Sequence, residues 1–96
     1  MYWDDISMLL AYASERYSPP DVRWKKEKFR KRCYEIYAYE NAVNMCMDNP
    51  FKDPVDILEE YLIYIEGCIP YFKDNPSRKK EYIYMKTAII GLLTKL

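Results

Sequence analysis

Prolines flanked by capping residues cut this chain into four stretches, and that punctuation limits its fold more than any other feature. Three clusters carry it: Ser18-Pro19-Pro20-Asp21, Asp48-Asn49-Pro50 followed by Asp53-Pro54-Val55-Asp56, and Asp74-Asn75-Pro76. Proline has no N–H and clashes with the preceding turn inside a helix, yet it suits the first helical position. A Ser, Asp or Asn just ahead of it offers a side-chain oxygen to the unpaired amides of a helix start. Each cluster therefore reads as the stop of one helix and the start of the next.

Between the clusters apolar residues recur at helical spacing. The first stretch, from about 4 to 17, is capped by Asp4 or Asp5 and carries Ile6, Leu9, Leu10, Ala13 and Tyr17 on one stripe. The second, 19–48, has Ser18 as its cap and Asp21 as the acidic half of a capping box. Its stripe is Val22, Phe29, Cys33, Ile36, Val43 and Met47, and it is long enough to allow a break near Tyr39–Asn44. The third, 54–73, carries Val55, Ile57, Leu58, Tyr61, Leu62, Tyr64, Ile65, Cys68, Ile69 and Phe72 over half its cylinder, which predicts a central position. Pro70 predicts a kink or an end there. The fourth, 76–95, carries Tyr82, Ile83, Met85, Ile89, Ile90, Leu92, Leu93 and Leu96, with Gly91 opposite. The expected fold is all-α: one compact bundle of four helices in a single domain spanning 1–96.

Composition narrows the chemistry. The 96 residues include no His, two Gly and three Cys. Without His the chain lacks the commonest general base and the commonest metal ligand. With so little Gly it has few positions for a phosphate-cradling loop. Cys33, Cys46 and Cys68 form no C-x-x-C pair and have no activating imidazole. They are expected as three reduced thiols in a cytoplasmic protein. Asp4 and Asp5 stand where the basic region of a secretory leader would, and no apolar run approaches the roughly 20 residues that span a bilayer. No enzyme activity, metal, cofactor or membrane partner is expected.

The net charge is zero but the charges are in blocks: residues 23–32 hold seven Lys/Arg against one Glu, and residues 35–66 hold eight Asp/Glu against one Lys. The basic block, Arg23, Trp24, Lys25, Lys26, Lys28, Arg30, Lys31 and Arg32, is the first candidate partner surface. On a helical wheel Phe29 points inward and Trp24 lies nearly opposite it, an outward ring in a collar of cations suited to a partner's pocket or to a base. Asp56, Glu59, Glu60 and Glu66 around Ile63 form a second candidate surface, able to meet the basic collar of a second copy. Glu40 and Lys86 interrupt their stripes and are expected to pair across the core, because a lone buried charge is costly.

These features favour a small protein–protein interaction module, since more apolar and aromatic residues are present than one small core uses. Nucleic-acid binding through residues 23–32, aided by Arg78, Lys79 and Lys80, is the less favoured reading, and a structural homodimer is the third. In size, Gly poverty and abundant Tyr and Lys the chain is similar to small accessory proteins of phages and mobile elements, including inhibitors of host defence nucleases (anti-CRISPR proteins). That likeness is compositional; it rests on no motif and carries over no residue.

Overall fold

A computed structural model describes residues 1–16 and 18–96 of the chain. Among them are four α-helices, α1 (Trp3–Arg16), α2 (Lys26–Asp48), α3 (Pro54–Cys68) and α4 (Pro76–Leu93), with a 3-10 turn at Ile69–Phe72 after α3. All four helices contribute to one apolar core, whose fully buried side chains include Leu9, Cys46, Leu58, Ile65, Ile89 and Leu92. The expected all-α bundle is the fold.

α2 and α4 make the most extensive contact, and they run parallel. Arg30, near the start of α2, reaches Ser77 and Glu81 at the start of α4. Further along, Tyr12 of α1 packs edge-on against Tyr39 of α2, and its hydroxyl lies against Gly91 of α4. α1 and α3 run the other way and each packs on both members of the pair. The N-terminal end of α1 is tied to the α2–α3 connection, where the Tyr2 amide donates to the Pro50 carbonyl at 2.8 Å.

The two later proline boundaries stand as read. Asp53 caps α3 by accepting from the Val55 amide at 2.9 Å, and Asn75 caps α4 by accepting from the Arg78 amide at 3.2 Å. At Pro70 the helix ends rather than bends: the missing N–H falls in the tighter 3-10 turn.

The first boundary differs. α2 starts at Lys26, not at Pro19, and Ser18 caps nothing. The tandem proline explains this. A residue before proline is pushed toward extended backbone, and here both Ser18 and Pro19 precede one. Asp21 then turns its carboxylate to the amide and guanidinium of Arg23, and the Trp24 amide closes a turn on the Asp21 carbonyl at 2.9 Å. Asp4 and Asp5 likewise lie inside the first turn of α1, where carboxylates suit the helix dipole, and do not cap it.

The stripes shift accordingly. α2 buries Ala38, Tyr39, Ala42, Val43 and Cys46, while Val22 and Met47 are exposed, and the helix runs unbroken through 39–44. Leu10 of α1 is exposed, and Tyr17 lies outside the described residues. α3 buries a narrower face than expected, with Tyr64 out, and packing centres on α2 and α4 instead. Gly91 faces α1, not solvent: a Cβ there would stand 3.1 Å from the Tyr12 hydroxyl.

Asp53→Ala is expected to lower unfolding free energy by about 1 kcal/mol, the usual worth of a side-chain N-cap. Ser18→Ala should leave it nearly unchanged. Urea denaturation of the two variants checks this, and an equal loss at both sites contradicts the helix start at Lys26.

Candidate functional site: a tyrosine-walled groove

α2 and α3 touch each other less than either touches α4, so a groove remains between them with α4 as its floor. Its larger hollow, about 560 Å³, is walled by Cys33, Tyr34, Tyr37 and Asn41 of α2 and by Tyr61 and Tyr64 of α3, over Arg78, Tyr82 and Met85 of α4. A second hollow of about 470 Å³ continues it past Tyr61 and Tyr64 to Met45, Asn49, Lys52, Ile57 and Glu60. The spacing that builds the walls is simple. Tyr34, Tyr37 and Asn41 recur every three or four residues on α2, and Tyr61 and Tyr64 answer them on α3, so each set lines one side of its helix.

The walls are fixed from within. Asn41 donates to the Tyr61 hydroxyl at 3.3 Å, joining α2 to α3. Burial raises the Tyr61 hydroxyl above its ordinary pKa, partly offset by that bond from Asn41. Tyr64 shares a hydrogen bond with Cys68, which holds its hydroxyl protonated to higher pH. Phe72 stacks tilted on Tyr82 with ring centres 4.9 Å apart, so the 3-10 turn closes down on α4. Two wall tyrosines remain open: Tyr37 is 53% exposed and Tyr64 62%.

At one end of the groove Glu81 sits among cations. Its carboxylate accepts from Arg30 and Arg78, each at 2.9 Å, and is 12% exposed; Arg30 is 19% exposed and also pairs with Glu27 and the Ser77 carbonyl. Burial alone would raise the Glu81 pKa. Hydrogen bonds from Arg30, Arg78 and Tyr34 outweigh it and hold the carboxyl below its ordinary 4.5. This network bolts the starts of α2 and α4 together and fixes Tyr34 in the wall.

Of the residues singled out from the sequence, Glu60 lines the second hollow and Arg30 holds Glu81 at the groove's end, while the others lie elsewhere. Trp24 precedes α2 instead of lying on it and is partly buried, with Lys28 at 4.3 Å and Arg32 at 5.5 Å from its ring centre. Arg23 is held by Asp21, Arg30 by Glu81 and Glu27, and Arg32 by the Ser18 carbonyl at 3.1 Å. Lys25, Lys26 and Lys31 are exposed and make no ion pair among the described residues. On α3, Asp56 and Glu59 are exposed, Ile63 is 69% exposed, Glu60 pairs with Lys52 at 2.9 Å and Glu66 with Lys86 at 4.0 Å.

The expected Glu40–Lys86 pair does not form. Glu40 is exposed, Lys86 turns to Glu66, and no charged group is buried among the described residues. The error traces to phase: a stripe drawn through Phe29, Cys33, Ile36 and Val43 has Glu40 in its middle, but it passes over Ala38, Tyr39, Ala42 and Cys46, which the helix actually buries.

The cysteines are free thiols. Cys46 is buried, and desolvation pushes its pKa up to about 11, far from a reactive thiolate. Among the described residues no three Cys, Asp or Glu side chains gather as a metal site would need, and no helix is long and apolar enough to cross a membrane. No known protein family, curated protein or solved structure matches the chain.

The Glu81 network makes a prediction about pH. A carboxyl with a lowered folded-state pKa contributes stability that is complete above its ordinary value and is lost as pH falls through the folded value. Thermal melts should therefore show stability falling below about pH 4.5, the ordinary carboxylate value. Glu81→Gln should cost about 2 kcal/mol at pH 7, the scale of hydrogen bonds to a charged group, and flatten that acid decline. An unchanged acid slope in the variant rules out the network as its source.

Proposed function

We propose that this chain is a small non-catalytic interaction module that binds a protein through the groove between α2 and α3. The observation that carries the reading is the groove itself: five tyrosines around a hollow of about 560 Å³, two of them more than half exposed. Tyrosine is enriched at protein interfaces because its ring supplies contact area at low entropic cost while its hydroxyl stays hydrated in the free state. Arg78 at one end and Lys52 and Glu60 at the other give the apolar floor a polar rim, the usual anatomy of a docking site.

Such a module acts by occupancy. It covers a surface of its partner and needs no nucleophile, metal or cofactor. A role as a small accessory protein, to which the chain has a compositional likeness, would fit this mode of action. The exposed Lys25, Lys26 and Lys31 at the start of α2 would orient the encounter with an acidic face, an effect on association rate more than on affinity.

A photo-crosslinking residue at position 37 or 64, expressed in the native host, should yield an adduct of one defined mass. The same residue at position 10, exposed on α1, should not. The paired change Tyr37→Glu and Tyr64→Glu should abolish binding with helicity retained by circular dichroism, since both side chains already meet solvent. Adducts that form equally at position 10, or at none of the three, overturn the groove as the contact surface.

A further inference from the structure

We infer that the groove's partner is a second copy of this chain, docked about a two-fold axis beside Tyr37 so that the two α2 helices run antiparallel. The inference rests on the groove being the contact surface, and charge carries it. α2 begins at Lys26 and ends at Asp48, both exposed and without an ion pair among the described residues. Lys25 precedes it, and its last turn holds no basic residue. A helix presents partial positive charge at its N-terminus and negative at its C-terminus, so each of these end charges opposes the helix that carries it.

An antiparallel second copy removes the conflict at both ends. Tyr37 is the midpoint of the 23-residue helix. Its two ends lie about three turns away, roughly 16 Å in each direction, which places Lys26, Tyr37 and Asp48 along one side of α2. A two-fold axis at the midpoint sets Lys26 of each copy against Asp48 of the other, and each helix end then meets the charge its dipole favours. A parallel pairing would oppose Lys26 to Lys26.

The rest of the molecule has the same polarity. Arg78, Lys79 and Lys80 open α4 beside the start of α2, and Asp48, Asp53 and Asp56 gather where α2 turns into α3. Tyr37 and Tyr64 form the apolar centre. Two-fold closure uses the same patch twice and stops at a dimer.

Sedimentation equilibrium on the full chain tests this. The wild type should dimerise, less tightly at about 0.5 M salt. K26E and D48K should each weaken the dimer about tenfold, because each reverses two symmetry-related pairs. Neither should lower the Tm of the monomer, measured at concentrations well below the dissociation constant, since both changes suit the dipole of α2. The double variant K26E/D48K should regain wild-type affinity. An equimolar mixture of the single variants should pair with each other in preference to themselves. A wild type monomeric at about 1 mM, a dissociation constant far weaker than functional complexes need, overturns the inference. If position 37 then still crosslinks a different polypeptide, the groove reading stands and only the second copy is lost. A double variant as weak as the single ones overturns the antiparallel register.

Discussion

The close contact of two parallel helices, α2 and α4, is the constraint on which the rest of this bundle depends. Neighbouring helices in a chain this short are antiparallel, so α2 and α4 meet across the diagonal. That contact needs small side chains. Ala38 and Ala42 on α2 and Ala88 on α4 are all buried in the shared core and let the two axes approach. Parallel helices also bring two positive dipole ends together, which is unfavourable unless an anion stands between them. Glu81 supplies that anion at the start of the pair, held by Arg30 from one helix and Arg78 from the other.

The groove follows from this arrangement. With the diagonal helices in contact, α1 and α3 are left to pack on the outside of the pair, and neither can be enclosed. α3 is fixed at one end by the short connection from α2 and at the other by the 3-10 turn that sets Phe72 on Tyr82. Between those anchors large tyrosines face each other across the gap where α2 carries alanine toward α4. Small residues on one side of α2 and bulky ones on another make one contact tight and the other loose. Replacing the groove-side tyrosines with leucine would remove the hydroxyls that make its exposure tolerable.

The parts of the fold legible in the sequence were those written in local chemistry. Asp53-Pro54 and Asn75-Pro76 place a cap and a proline in adjacent positions, and both helices start there. Pro70 removes one amide and the helix ends within two residues of it. What was not legible depends on which way a helix turns. The stripe of α2 was drawn through its larger apolar residues and passed over Ala38, Tyr39, Ala42 and Cys46, which mark the buried face, and the expected Glu40–Lys86 pair followed from that phase. The groove escaped notice because tyrosine at three-residue spacing looks the same whether it packs in a core or lines a hollow. Only the neighbouring helix decides. Trp24 lies off the wheel drawn for it, since residues 19–25 carry no helix, although Lys28 and Arg32 still flank its ring.

Eleven tyrosines in a chain of this size are better understood against that geometry than as surplus core. The core is filled by aliphatic side chains such as Leu9, Leu58, Ile65, Ile89 and Leu92 together with four alanines, and of the described tyrosines only Tyr39 is buried. The other described tyrosines cover edges, where leucine or phenylalanine would expose a continuous apolar patch and invite aggregation. Tyrosine buries its ring against a neighbour and leaves its hydroxyl to water. A surface made this way is stable alone and still gains when a partner displaces that water. The tight diagonal that excludes the tyrosines from the core thus sets them at its rim, where they are available for binding.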